Sequence, residues 1–358
     1  GKIMKKNTIL LFAVVLVMGA ILSLSCSAKA GEYDVSNLSP ITITLAHAEP
    51  ADSTNFIHAS ALALKEKIEE DSKGKITVNI AAGGALGDSD AALQQAMQGT
   101  IEIVSSISDG TITSVHRDML IWSIPYLFDN EHQALHVYHG KFGREMWRKF
   151  TEKTNLIPLA TFSGGFRHFT TSKKPIHRPE DLKGQKIRTM HVPAHMELVK
   201  SLGGIPTPIS WNELYAALQT GVADGQENPI SSFVMGHLYE VHDYLDLDGH
   251  VWSQEAILVS KRWLETQPEA YQLIILNAGS YAQEVGQRYV NVMEDIGLST
   301  LPDKMKEIYK PTAEEIQMFR EASQARVVAL IKKQIDNPEL ADELINKAEE
   351  ALVELGYK

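Results

Sequence analysis

From Pro40 onward the chain alternates between two periodicities. The run ITITLA, residues 41–46, sets apolar side chains at every second position, as a strand with one buried face does. NFIHASALALKEKIEE then repeats its apolar residues at helical spacing, with Asp52 or Ser53 as the expected cap. KITVNI reads as a second strand, DAALQQAMQ as a helix capped by Ser89 and stopped by Gly99, and IEIVSS as a third strand. Alternating units of this length predict a mainly parallel sheet with helices on both faces.

The same order returns further on. Ser210 and Glu213 are spaced as a capping box for WNELYAALQT, which Gly221 ends, and VADGQENP follows as LQQAMQGTIEIVSS does earlier. Any βα protein contains such units. Two similar lobes, each presenting one unit to a shared cleft, would also produce the echo. Between the two, GQKIRT reads as a strand, and MHVPAHMELVKSLGG as a helix with Pro193 in its first turn and Gly203 at its end.

The C-terminal third is helical. Tyr271, Ile274, Ala278, Ala282, Val285, Tyr289 and Val292 fit one face, with Pro268 near the first turn. Such a helix, of roughly 25–30 residues, is about 40 Å long, enough to brace two lobes. Thr312 and Glu315 form another capping box, Asn337-Pro338 breaks the helix that follows, and a last helix closes the chain.

The N-terminus does not share this patterning. Lys2, Lys5 and Lys6 precede an uncharged apolar run over residues 9–24, and Ala28-Lys29-Ala30 follows. A basic stretch, an apolar stretch and an A-x-A end describe a secretory signal, with Met4 as its start and cleavage after Ala30 expected. Lipid attachment at Cys26 is the less favoured alternative, because Ser23 stands where a lipoprotein signal usually has leucine. Cys26 is the only cysteine, so the chain beyond residue 30 has no disulfide, thiol nucleophile or cysteine metal site. Export without cysteines suits a bacterial periplasm.

With 358 residues, 44% hydrophobic and 22% charged, the chain suffices for two compact lobes, and a net charge of −11 argues against nucleic acid and anionic membranes as partners. An anionic ligand must then be drawn in by a local basic site.

Motifs for cofactor or metal chemistry fail. AAGGALGD fits neither phosphate-binding glycine pattern, and neither G-x-S-x-G nor H-E-x-x-H occurs. His132, His136 and His139 fall on one helical face, but no further ligand completes a metal set, and a solvated helix face is the favoured reading. No cofactor and no metal are expected.

Arg188 is different. It stands near the carboxyl end of a strand and faces a helix N-terminus, where open α/β sheets bind ligands and free amide groups favour an anion. A guanidinium there can grip a carboxylate through two parallel hydrogen bonds, although a strand-end arginine can equally make an ordinary salt bridge. Asn228 before Pro229 is placed as a helix cap, and Trp211 serves either the core or a cleft wall.

Taken in order, ITLAHAEP, GGALGD, LQQAMQGTIEI, IPYLFDNEHQAL, GFRHFTTSKKPIHRPEDLKGQKIR, ELYAALQTGVADGQENP and ILVSKRWLE resemble the DctP-type substrate-binding proteins of tripartite ATP-independent periplasmic (TRAP) transporters. The resemblance covers essentially the whole chain after the leader. It implies a two-lobed α/β fold of the type II-like periplasmic binding class, each lobe a mixed sheet flanked by helices, with a long helix at 268–298 spanning both. It implies lobe I at 31–163 and 254–292, lobe II at 164–253 and 293–337, a C-terminal helix at 338–358, and crossings near Gly164 and Trp252. It implies that Arg188 is the chief carboxylate clamp, Arg167 the second arginine, Asn228 and Trp211 further ligand contacts, and His47 a softer one. The expected function is that of a monomeric periplasmic receptor delivering an organic acid, a sugar acid or C4-dicarboxylate, to a TRAP permease. Two other functions are carried beside it: a periplasmic lyase using Glu227 and a histidine, and a sensory module feeding a membrane receptor.

Overall fold

The computed structural model describes residues 33–105 and 108–358; the expected leader, with Cys26, lies outside the described residues. The described residues form one mixed sheet of nine strands: β1 Ile41–Ala46, β2 Ile76–Ala81, β3 Ile103–Val104, β4 Leu156–Thr171, β5 Lys186–Thr189, β6 Ile205–Pro208, β7 Gly225–Pro229, β8 Tyr244–Ser260 and β9 Glu307–Tyr309. Their order is β2-β1-β3-β8-β4-β7-β5-β6, with β9 beside β8.

This order is a near-palindrome. In one half β1 lies parallel to β2 and β3, and β3 runs antiparallel to β8. In the other, β5 lies parallel to β6 and β7, and β7 runs antiparallel to β4. The echo in the sequence is thus the same unit placed once in each half. The long strands β4 and β8 join the halves, and their pairing slips at Ser163/Gly165, where Phe166 faces Trp252.

The helices are α1 Phe56–Asp71, α2 Ser89–Gln98, α3 Asp109–Val115, α4 Glu131–His139, α5 Lys141–Thr154, α6 Pro193–Ser201, α7 Trp211–Gln219, α8 Ile230–Met235, α9 Glu269–Thr300, α10 Ala313–Gln334 and α11 Glu339–Glu354, besides single turns. The expected long helix is α9, 32 residues, which packs on α1, on β4 and on α8 and so touches both halves. Gly279 permits the approach to β4: a Cβ there would lie 2.0 Å from the Leu159 carbonyl oxygen.

Several boundaries depart from the sequence reading. Asn55, rather than Asp52 or Ser53, caps α1, its Oδ1 accepting from the Ile57 and His58 N–H groups at 2.9 and 3.2 Å. Asp52 instead closes its own turn on the Thr54 N–H at 2.8 Å. Asp88, not Ser89, caps α2 by accepting from the Ala91 N–H at 2.9 Å. Strand β3 is only two residues long, because the Glu102 carboxylate takes the Thr44 N–H at 2.7 Å where a ladder carbonyl would continue. The Ser210 hydroxyl donates to Glu213 at 2.8 Å and makes no side-chain cap, whereas the Thr312–Glu315 box closes in both directions. His132 and His136 are exposed, and they also reach Tyr357 and Glu354 at the C-terminal end, at 3.4 and 2.8 Å.

Candidate functional site

Arg188 is the third residue of β5 and is 2% exposed. Its Nε donates to the Ile209 carbonyl at 2.9 Å, while Nη1 is buried without a partner. Among the described residues no carboxylate forms an ion pair with it. Burial draws its pKa down to about 10, with Arg167 acting in the same direction and Glu227 against it. A cation held this way, dry and unpaired, is a site prepared for an anion.

It faces a cavity of about 230 Å³ that also exposes Arg167, Asn228, Trp211, Glu49 and Glu255. The wall draws on segments following β1, β3, β5 and β7, so both halves of the sheet contribute. Trp211, the first residue of α7, serves both of its expected roles: it lines the cavity and packs on the core of Leu214, Ile230 and Phe233.

Arg167 is engaged. Its Nε pairs with Glu227 Oε2, its Nη2 donates to the Glu227 carbonyl at 2.7 Å and to Asn228 Oδ1 at 3.0 Å, and its Nη1 approaches Ser253 Oγ at 3.4 Å. Asn228 belongs to β7 and caps nothing; α8 begins after Pro229 with no side-chain cap. Its amide instead orients Arg167, and its Nδ2 donates to Gln226.

His47 follows β1, as Met190 follows β5, so its position mirrors the arginine strand in the other half. Its ring, however, is buried against His58, Nε2 to Nδ1 at 3.0 Å, and is not part of the cavity lining. Burial, and then His58, lower its pKa to about 4, so the pair is neutral, one ring donating and the other accepting.

Sequence reasoning missed the acids. Glu49 lines the cavity with its pKa raised to about 7 by burial, against hydrogen bonds from Trp211 and Asn55. Glu255 is pushed well above the carboxylate range by burial and then by Asp109, and its Oε2 has no partner. Behind the wall lies a buried ionic chain. Asp109 Oδ2 stands 3.2 Å from His195 Nε2, and His195 Nδ1 stands 3.3 Å from Glu227 Oε1. Glu227 Oε2 also meets His250 Nε2 at 3.3 Å, and His250 Nδ1 meets Asp248 at 2.8 Å. Glu227, the base of the lyase alternative, is therefore occupied by these partners and is not among the residues lining the cavity. The available signal was in β8, whose Asp246, Asp248 and His250 alternate along a buried strand.

A cavity between two matching half-sheets, walled by an unpaired arginine, is that of a solute-binding protein. The family model for DctP, the bacterial extracellular solute-binding proteins, family 7, matches residues 45–334, and the chain belongs to this family. It is 31% identical to the ectoine-binding periplasmic protein TeaA of Halomonas elongata, over 73% of this chain and 76% of that one. It is 32% identical to protein y4mM of Sinorhizobium fredii over 70% of this chain, but spans only 44% of that longer protein. The crystal structure of the sugar acid binding protein DctPAm of Advenella mimigardefordensis in complex with galactonate superposes with a TM-score of 0.81 at 28% identity, covering 87% of this chain and 99% of the other. No helix among the described residues is long and apolar enough to cross a membrane.

Proposed function

We propose that the chain is an exported, periplasmic receptor, not an enzyme, whose two lobes close on an organic acid and hand it to TRAP permease subunits. The lobes run as the resemblance implies, 31–163 with 254–292 and 164–253 with 293–337, and the receptor acts as a monomer. The observation that carries this reading is Arg188, buried in the cavity wall with an unpartnered Nη1. The ligand carboxylate sits there, and Arg167, fixed by Glu227 and Asn228, adds its charge beside it.

The rest of the cavity selects the acid. Glu49 and Glu255 are both shifted toward the protonated form, in which a carboxyl group can donate to one hydroxyl and accept from another. A second carboxylate would find no second free guanidinium in the wall, because Arg167 is already bonded at all three nitrogens. A hydroxylated monocarboxylate, a sugar acid, therefore fits better than a C4-dicarboxylate. The galactonate bound by DctPAm is of that class.

Titration calorimetry with D-galactonate, D-glucuronate and succinate tests the assignment, with the bound acid recovered and identified afterwards. A sugar acid bound more tightly than succinate and recovered unchanged is expected. Succinate bound more tightly would reject the selection argument, and a chemically altered acid would restore the lyase.

A further inference from the structure

The buried ionic chain joins parts of the fold that a closing cleft must bring together. Asp109 opens α3, which follows β3 in one half of the sheet; its neighbours Ser108, Gly110 and Thr111 line the cavity. His195 lies in the first turn of α6, which follows β5 in the other half, directly after the lining residues Met190 and His191. Asp109 is 1% exposed, as is His195, and Nε2 to Oδ2 is 3.2 Å. The two walls touch beside this pair as well: the Ser108 hydroxyl lies 3.7 Å from Met190 Sδ, and a Cβ on Gly110 would come within 2.9 Å of that sulfur.

We propose that Asp109 and His195 form a latch across the cleft, an ion pair made only in the closed form, which fastens the lobes behind the bound acid. This rests on the reading of the protein as a closing receptor, though not on which acid it binds. The rest of the chain belongs to one side: His195 Nδ1 faces Glu227 of β7, whose half also holds Arg188 on β5. The joining strands add Arg167 from β4 and His250, Ser253 and Glu255 from β8, and the Ser253 hydroxyl donates to Asp109 Oδ1 at 3.2 Å. Elsewhere on α6, Glu197 takes Arg326 of α10 at 3.4 Å, and Asp118, from the turn that follows α3, is held by the Asp336 N–H at 2.7 Å. Opening therefore strips His195 of Asp109 and leaves it Glu227.

The pH sense follows. Burial lowers the His195 pKa, but Glu227 and then Asp109 outweigh it and leave the group raised in the closed form. Opening removes Asp109, one of the two anions that hold the proton, so the closed form binds the imidazolium proton more tightly than the open form. Closure is favoured at lower pH and weakens as pH rises through the closed-form pKa. Asp109 stays ionised throughout, since its partners hold it below the usual carboxylate range against burial.

The test uses spin labels at Glu66→Cys and Glu180→Cys, both exposed and one in each half, in the exported chain, whose only native cysteine is Cys26 of the leader. The closed fraction is read at pH 6 and pH 9, empty and with D-galactonate, beside the dissociation rate and the melting temperature. His195→Gln and Asp109→Asn should each lower the closed fraction and speed dissociation about tenfold, with the double variant no worse than either alone. The parent should open between pH 6 and pH 9, and His195→Gln should not respond. If both variants keep the parental closed fraction and dissociation rate, or lose melting temperature alone, the latch is refuted. If galactonate fails to bind while the empty parent closes with pH and the variants do not, the sugar-acid assignment fails and the latch stands. An empty parent that is open at both pH values, with bound variants that match it, also refutes the latch.

Discussion

Glu227 holds Arg167 by two different groups, its carboxylate Oε2 accepting from Nε and its backbone carbonyl accepting from Nη2 at 2.7 Å. The same carboxylate meets His195 and His250, so three buried side chains share one anion. Glu227→Gln should therefore behave as removal of one member of a buried network, destabilising by about 3–5 kcal/mol. Urea denaturation measures this. Burial would push the Glu227 carboxyl up, but Arg167 and then His195 hold it well below its ordinary value of 4.5. Its contribution is thus complete above that value and is lost as pH falls below it. The gap between parent and variant should narrow in acid.

Glu49 has the opposite sign. Burial raises its pKa from 4.5 to about 7, so between those values the folded chain binds more proton than the unfolded one and stability falls as pH rises. Glu49→Gln removes that cost while keeping a group that can bond Asn55. The variant should melt above the parent at pH 8, by up to about 3 kcal/mol, and match it near pH 4. A variant that melts below the parent at pH 8 would show that the carboxylate is stabilised there.

What could be read beforehand was local. Arg188 was legible because a strand end, a proline-led helix and a stopping glycine fix its place without knowledge of the rest of the chain. The repeat of helix, glycine and strand was legible for the same reason, and the two copies do sit symmetrically about β8 and β4. What escaped depends on pairings distant in sequence. Asp109 meets His195 because β4 and β8 bring the two halves together, and Glu255 feels Asp109 and Glu49 because β8 pairs with β3 beside β1. His47 shows the limit from the other side: its backbone position was read correctly, but its side chain turns to His58, which no spacing rule reveals.

Gly165 marks where the halves join. Its φ is +100°, it sits at the slip in the pairing of β4 with β8, and a Cβ would fall 2.0 Å from Glu294 Oε1. Gly165→Ala should cost about 1–3 kcal/mol from backbone strain alone. It should also disturb closure more than an alanine elsewhere in β4. Solution scattering of the parent should show contraction on binding ligand, and the variant should contract less. Equal contraction in both would remove this position from the hinge.

Arg188 carries the sharpest consequence, because its role in binding and its effect on stability have opposite signs. Its pKa is drawn from 12.5 to about 10, mainly by burial, so at neutral pH the cationic form is held at a cost of about 3 kcal/mol. Arg188→Met fills the volume without the charge. It leaves the Ile209 carbonyl without its 2.9 Å donor, a loss of about 1–3 kcal/mol. The ligand-free variant should therefore melt at or above the parent. Binding moves the other way: the ligand carboxylate would enter a dry wall without its partner, at a cost of about 2–5 kcal/mol, or well over tenfold in affinity. Arg188→Lys keeps the charge but loses the planar fork, and should bind poorly too. Calorimetry beside melting curves separates these effects. A variant that binds like the parent would move the clamp to Arg167, and one that melts far below it would make Arg188 a structural residue.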